Sequence, residues 1–220
     1  MSQTRAALPV DPEVPAELQP VHADDLMPDA SLVDVELVDA QLPGSSTNGV
    51  SVNGAVLRNV DLSGSRMDQL GLLDVSLRGC NLANLQALRA SLVRVRVQGC
   101  RLTGIRFFEA FLRDLTFVGC RMDLASLGSC RLQQVTFEDC VLTQTDFLES
   151  ELQSVRFHGC DLGEADFRGA RLQRCELRDC ELGGAHGIER LAGSAMPWAD
   201  IVQQAGTWAA ALGIEVLEDE

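Results

Sequence analysis

The amino-acid sequence predicts an all-β solenoid in which the chain coils with four sides per turn. Three observations predict this fold class. From Leu32 to Leu182 every fifth residue is Leu, Val, Met or Phe, except at Thr47 and Ala87. A second, smaller residue of a type common in protein cores stands two positions before most of these. Eleven of the 19 glycines fall in one slot, two positions after the large apolar residue.

The period of five excludes the common alternatives. On an α-helix it would rotate successive apolar side chains by about 140° and spread them over the whole surface. Leucine-rich repeats mix shorter spacings, whereas this sequence keeps strictly to five. A chain that bends at every fifth residue closes a four-sided turn after about 20 residues, so each side stacks on the previous one as a short parallel strand. The glycine slot then marks corners where a side chain would clash or the backbone needs positive φ.

Stacking at this interval arranges the inner side chains in columns. One column takes small residues, namely Ala40, Val60, Cys80, Cys100, Cys120, Cys140, Cys160 and Cys180. Aromatic rings fall in two columns on opposite sides, which contain Val97, Phe117, Phe137, Phe157 and Leu177, and Phe107, Leu127, Phe147 and Phe167. A fourth column consists of Leu92, Leu112, Leu132, Leu152 and Leu172. We therefore predict that large rings meet across the axis.

The regular spacing of the cysteines is interpreted as packing. A structural metal site needs convergent Cys or His at short spacings such as C-x2-C, and the sequence has none. Stacked neighbours stand about 4.8 Å apart, whereas the Cβ atoms of a disulfide are about 3.8 Å apart. Buried cysteine behaves as a small hydrophobic residue that can replace Ala or Val. Oxidation or metal binding is the weaker alternative, and we expect no metal and no cofactor.

The stretch CDLGEADFRGARLQRCELRDCEL, residues 160–182, resembles the A(D/N)LxX pattern of the pentapeptide-repeat family. The resemblance covers about 150 residues without a break in register. It implies a right-handed quadrilateral parallel β-helix. About eight coils at about 4.8 Å each would form a rod roughly 37 Å long.

The pattern divides the chain into three regions. Residues 1–20 contain four of the seven prolines and no periodicity, which predicts a flexible N-terminal tail. Residues 21–184 form the predicted repeat coil, and residues 185–220 a C-terminal capping or dimerisation helix and tail. Within the coil, the turn-rich stretch at residues 43–49 keeps the five-residue count but has Thr47 in the large apolar slot, so we expect a bulging loop there.

The sequence PWADIVQQAGTWAAALGI predicts an α-helix that begins near Pro197 and ends at Gly213. Its apolar face contains Trp198, Ile201, Val202, Ala205, Trp208, Ala209 and Leu212. We expect this face to cover the open end of the coil, which a β-helix must protect. A homodimer interface, as in some members of the family, is the alternative, and the two roles are compatible.

Composition and motifs argue against an enzyme. The three histidines, His22, His158 and His186, fall in separate regions, and Ser and Asp occupy outward slots without a nucleophile motif or a phosphate-binding loop. The formal net charge of −14 disfavours direct binding of nucleic acid or an anionic membrane. No stretch has the apolar length of a signal-peptide core or a membrane span, so a cytoplasmic protein with reduced thiols is expected.

A protein partner is the remaining expectation, and the resemblance implies one class. Some pentapeptide-repeat proteins imitate the shape and charge of B-DNA and occupy the DNA site of DNA gyrase, conferring quinolone resistance or toxin immunity. Residues 89–137 contain eight arginines and three acidic residues, a net charge of +5, whereas residues 138–182 have a net charge of −6. The candidate partner-binding residues are those of the acidic segment: Glu138, Asp139, Asp146, Glu149, Glu151, Asp161, Glu164 and Asp166.

An outward apolar patch supports a second hypothesis. Outward slots should be polar, but Leu88, Phe108 and Leu148 share one outward column and Phe111 lies nearby. Such a group is typical of a contact surface. The alternative function is therefore a scaffold that binds an unrelated protein through this patch.

Overall fold

In a computed structural model that describes residues 6–217, the chain is a right-handed quadrilateral parallel β-helix of about eight turns. The strands are β1 (Gln19–Pro20), β2 (Ser31–Val38), β3 (Ser46–Asn48), β4 (Ser51–Arg58), β5 (Arg66–Asp68), β6 (Gly71–Arg78), β7 (Ser91–Gln98), β8 (Phe111–Val118), β9 (Arg131–Glu138), β10 (Glu151–Gln153), β11 (Arg156–His158), β12 (Arg171–Gln173) and β13 (Glu176–Arg178). The helices are α1 (Trp198–Gln203) and α2 (Ala205–Ala211), with 3₁₀ turns at Ala23–Asp25 and Ile188–Leu191. No helix in the described part of the chain is long and apolar enough to cross a bilayer. The predicted fold class is confirmed.

Each coil advances by 20 residues, as predicted. Ser31 of β2 lies beside Ser51 of β4, which in turn lies beside Gly71 of β6, and all three strands are parallel. The same register persists in the later coils, where Phe157 of β11 lies beside Phe137 of β9. One register therefore governs the coil along its length.

The backbone turns the corners in the left-handed αL conformation. The eleven glycines of the corner slot have φ values from 57° to 71°, which confirms the predicted need for positive φ. Other corners are occupied by residues such as Asn59 and Asp139, with φ of 53° and 51°. Asn and Asp tolerate this region better than most L-residues because their short polar side chains bond locally. The repeated corner sets the period of five.

Leucine and phenylalanine side chains fill the shaft. Phe137 stacks on Phe117 with ring centroids 5.0 Å apart, and on Phe157 at 5.2 Å. Across the axis, Phe147 meets Phe157 edge to face at 5.8 Å. The predicted meeting of two aromatic columns is thus confirmed. Leu and Val replace Phe toward the N-terminal coils, where an apolar cavity of about 50 Å³ remains, bordered by Leu85 among others.

The N-terminal segment, residues 6–20, contacts the coil, and the flexibility predicted for this part of the chain stays a prediction. It runs along the outside of the coil, and β1 pairs with β2. The N–H groups of Val10 and Glu13 donate hydrogen bonds to aspartate side chains of the coil. Composition alone gives no information about these long-range contacts. Residues 1–5 lie outside the described residues.

The stretch at residues 43–49 is more regular than predicted. Within it, β3 pairs in parallel with β5, and Thr47 is buried in the large inner slot. The expected bulging loop is therefore wrong. The slot accepts threonine although its buried hydroxyl has no hydrogen-bond partner within the described residues, and the backbone pairing to the next coil holds the register.

Polar contacts close the C-terminal end of the coil. The Asp200 carboxylate accepts a hydrogen bond from the Asp179 N–H at 2.7 Å, and the Gln204 side-chain amide donates to the Cys180 carbonyl at 3.1 Å. Ile188 is buried in the same core as the coil side chains, which continues the shaft beyond the last strand. The end of the β-helix is protected by both features.

This arrangement corrects the predicted apolar lid. Trp198, Val202 and Leu212 are 77%, 55% and 75% exposed, and Ile201 is 37% exposed. Trp208 is the member of the predicted cap that packs against the core. The last coil presents backbone N–H and C=O groups that need polar partners, so Asp200 and Gln204 turn inward and most of the predicted apolar face, with the exception of Trp208, is exposed.

Replacement of Phe137 by Ala should destabilise the fold strongly. The ring is fully buried between two others, and such truncations in cores cost about 3–5 kcal/mol. Chemical denaturation of the purified protein measures the free energy of unfolding. Phe108→Ala is the control, because that ring is 44% exposed and should cost less than about 1 kcal/mol. Equal losses for the two variants would contradict the assignment of the columns.

Candidate functional site

The cysteines lie in the inner slots that the repeat assigns to them. All eight are free thiols, and all are buried. The thiols bond to the backbone of the preceding coil: the Cys160 Sγ lies 3.4 Å from the Phe137 carbonyl oxygen, and the Cys180 Sγ 3.3 Å from that of Phe157. Among residues 6–217, no group of three Cys, His, Asp or Glu side chains is placed to hold a metal ion. The predicted burial of the column is confirmed.

Burial also lowers the reactivity of two of these thiols, Cys130 and Cys175. It raises the pKa of Cys130 to about 12, and it raises the pKa of Cys175 as well. The thiolate is the nucleophile and the metal ligand, so a raised pKa and a closed environment both oppose chemistry at sulfur. The cysteines therefore contribute packing.

The native protein should react slowly with a thiol reagent such as DTNB at pH 8. That pH lies far below the pKa of about 12 for Cys130, so this thiol stays protonated as well as inaccessible. All eight thiols should react once guanidinium unfolds the chain. The control is circular dichroism before and after treatment. Rapid reaction of several thiols in a still folded protein would refute the packing role.

The acidic segment is partly organised in columns. Asp146 lies beside Asp166, and Asp161 beside Glu181, on adjacent coils. The two columns are on neighbouring sides of the coil, with Glu164 at the corner between them. Adjacent coils are about 4.8 Å apart. Like charges are therefore held close together on two sides of the rod.

Arginines form ion pairs with two of the eight predicted acidic residues, Glu151 and Asp166. Hydrogen bonds from Arg168 hold the pKa of the Asp166 carboxyl below its usual value, with Nη2 2.6 Å from Oδ2. Glu151 lies between Arg131 and Arg171, at 3.4 and 3.6 Å. The other six candidates have no arginine partner within the described residues, and they are Glu138, Asp139, Asp146, Glu149, Asp161 and Glu164. These six contribute to the negative potential of the C-terminal coils.

The arginine belt occupies the same columns on earlier coils. Arg101 stacks on Arg121, and the column continues through Val141 to Asp161. A second column runs from Arg106 through one intervening coil to Asp146. The sign of the charge therefore changes from positive to negative along a single side, which divides the rod into a basic and an acidic part.

The apolar patch is half exposed. Phe108 and Leu148 are 44% and 41% exposed, whereas Leu88 and Phe111 are half-buried. Gly128 lies in the same column between Phe108 and Leu148 and leaves a gap between their side chains. The four residues thus form a broken patch that extends around one corner.

Sequence analysis missed the surface under the N-terminal segment. Pro9, Pro12 and Pro15 recur at every third residue, the period of a polyproline II helix. This signal was available, but a search for the period of five does not detect it. The aspartates that receive the segment occupy corner positions, where the sequence pattern alone assigns only a turning role.

These features define a class of protein, a four-sided parallel β-helix. A family model described as "Pentapeptide repeat region" matches residues 90–150 and 116–186, and one described as "Pentapeptide repeats (8 copies)" matches residues 30–69. The chain belongs to the pentapeptide-repeat family.

Solved structures of the same kind are similar at low identity. HetL from the cyanobacterium Nostoc sp. strain PCC 7120, involved in heterocyst differentiation regulation, is 22% identical over 76% of this chain and 90% of its own, with a TM-score of 0.38. A trypsin-treated variant of QnrB1, a plasmid-mediated fluoroquinolone resistance protein, is 18% identical over 90% of this chain and 96% of its own, with a TM-score of 0.43. A search of curated proteins finds no match. Likeness at this level does not transfer a function.

Proposed function

We propose that this protein is a non-enzymatic interaction module whose acidic C-terminal coils bind a type II topoisomerase, with DNA gyrase as the specific candidate. The observation that supports this most directly is the change of sign along single columns of the coil. Six of the eight candidate acidic side chains on the C-terminal coils have no arginine partner within the described residues. A basic DNA-binding groove of a partner is the complement of such a surface.

The charge density of the acidic coils matches that of DNA over a short length. Residues 138–182 have a net charge of −6 and span about 11 Å, over which duplex DNA has about six charges. The coil as a whole, residues 31–182, has a net charge of only −4, against about 22 for DNA of its length. Mimicry is therefore confined to the C-terminal coils.

A homodimer through the C-terminal helices would extend the acidic surface. Trp198, Val202 and Leu212 point away from the coil, and exposed apolar groups of this size favour association. The helices follow the acidic coils directly. Two copies joined there would bring their acidic segments together at the centre of a longer rod.

A supercoiling assay with purified gyrase tests the proposal. Micromolar protein should inhibit supercoiling or protect gyrase from a quinolone. The triple variant Asp139→Asn, Asp161→Asn, Glu164→Gln removes three charges of the acidic coils and should weaken the effect roughly 10-fold or more. No inhibition and no protection by the unaltered protein would end the proposal.

Two controls make the assay specific. The variant Asp24→Asn, Asp39→Asn, Glu109→Gln removes the same number of exposed charges outside the acidic coils and should retain the effect. Trp198→Glu, analysed by sedimentation, should yield monomers and weaken the effect, because it places a charge in the proposed dimer contact.

The exposed Phe108 and Leu148 favour a second candidate function, a scaffold for an unrelated protein. Phe108→Asp should abolish the complex with that partner in a pull-down, while the melting temperature stays nearly unchanged because the ring is half exposed. Leu124→Asp, a change at another exposed apolar side chain, serves as the control and should retain the partner. Retention of the complex by Phe108→Asp would contradict this function.

A further inference from the structure

The N-terminal segment attaches to the coil through a regular set of polar contacts. The N–H of Val10 donates to the Asp114 carboxylate at 3.2 Å, and the N–H of Glu13 donates to the Asp74 carboxylate at 3.0 Å. Asp74 and Asp114 belong to one column of αL corners, with φ of 55° and 56°. Both are almost completely buried. The segment therefore lies along this corner of the rod.

The spacing of these contacts matches a polyproline II chain to the coil. Val10 and Glu13 are three residues apart, and their acceptors are two coils apart. Three residues of polyproline II rise about 9.3 Å, and two parallel coils advance about 9.6 Å. Pro12 lies between the two donors, and proline favours the extended conformation both at its own position and at the residue before it. Corner aspartates on every second coil can thus accept hydrogen bonds from the N–H groups of every third residue of a proline-rich chain.

The coil recognises mainly the backbone of the segment. Beyond the two aspartates, Gln134 donates to the Leu8 carbonyl at 3.4 Å, and Arg156 donates to the Ala6 carbonyl. The acidic side chain that is bound is Asp11, 3.1 Å from Arg96. By contrast, Leu8 and Val10 are 66% and 50% exposed. Another chain with the same proline spacing and one matching acid would make the same contacts.

Residues 6–15 can dissociate from the coil without leaving Asp74 or Asp114 without a charged partner. Asp74 keeps two hydrogen bonds from Arg94, at 2.6 and 2.5 Å, and Asp114 keeps Arg113 at 3.4 Å. The coil strands pair with each other rather than with residues 6–15, so their ladder remains complete. Release of the segment is therefore a local opening that costs less than unfolding of the coil.

We propose that the corner column around Asp74 and Asp114 is a docking groove for an extended, proline-rich acidic segment of a partner protein. Residues 6–15 occupy it in cis and act as a displaceable cover. A tethered cover competes with the partner at the high effective concentration that a short linker confers. The groove uses a corner column different from those of Asp139, Glu149 and Glu164, so this proposal does not depend on gyrase binding.

Fluorescence polarisation with a labelled synthetic peptide, AALPVDPEVPAEL, tests the groove in the full-length chain. The variant Pro9→Ser, Pro12→Ser, Pro15→Ser weakens the cover and should bind the peptide roughly 10-fold or more tightly than the unaltered protein. A peptide of the same composition with its three prolines adjacent should not bind. Equal affinity of the two proteins for the peptide, or no binding to either, overturns the proposal.

Two further measurements identify the groove. In the proline variant, Asp114→Gly should abolish peptide binding, and glycine suits the positive φ there, so the fold is retained. Asp139→Gly, a corner of another column, is the control and should bind normally. Hydrogen exchange of the unaltered protein with saturating peptide should show loss of protection at the amides of Val10 and Glu13. Peptide binding that survives Asp114→Gly, or that leaves those amides protected, also overturns the proposal.

Discussion

The αL corner at each fifth residue is the constraint on which the remaining structure depends. It closes a turn after four sides and so places every residue over the one 20 positions earlier. The inner slots then become continuous columns, and any side chain that fits one coil fits the next. Stacked phenylalanines with centroids near 5 Å follow from this spacing, as does the tolerance for cysteine in the small slot. The corners are strained for most L-residues; glycine, asparagine and aspartate reduce that strain at many of them, and the stacked coil holds residues such as Leu124 in the same conformation at others.

Because the interior is uniform, functional differences are confined to the outward slots and the corners. An outward side chain does not affect the register, so the same column changes from Arg121 to Asp161 while the parallel pairing continues. The corners have two uses. Glycine serves where only a turn is required, whereas Asp74 and Asp114 satisfy the turn and also bind backbone N–H groups of the N-terminal segment. A single structural position can thus become a recognition element.

The C-terminal end of the coil satisfies its backbone groups differently from the coils in the middle. A stacked coil satisfies its backbone groups with its neighbours, and the last coil has only a partial neighbour, in which Ala195 pairs with Glu176. Asp200 and Gln204 supplement it: the Asp200 carboxylate accepts a hydrogen bond from the backbone, and the Gln204 amide donates one to it. This requirement explains why the apolar face of the helical region turns outward. It also explains how one helical region can close the coil and still offer Trp198 for association.

The amino-acid sequence alone specified the coil, its columns and the burial of Cys80 to Cys180. The reason is that the same five-residue pattern of inner and outer side chains recurs many times along the chain. The sequence also predicted that the coil has a basic part followed by an acidic part. The features that depend on contacts between distant residues were set by the three-dimensional fold alone. Val10 bonds to Asp114, 104 positions away, and Arg171 contacts Glu151 because their coils stack. The course of the N-terminal segment, the outward apolar helix face and the neutralised acids all depend on such contacts. Composition and periodicity describe what a stretch can do by itself, and they do not specify which distant surface it meets.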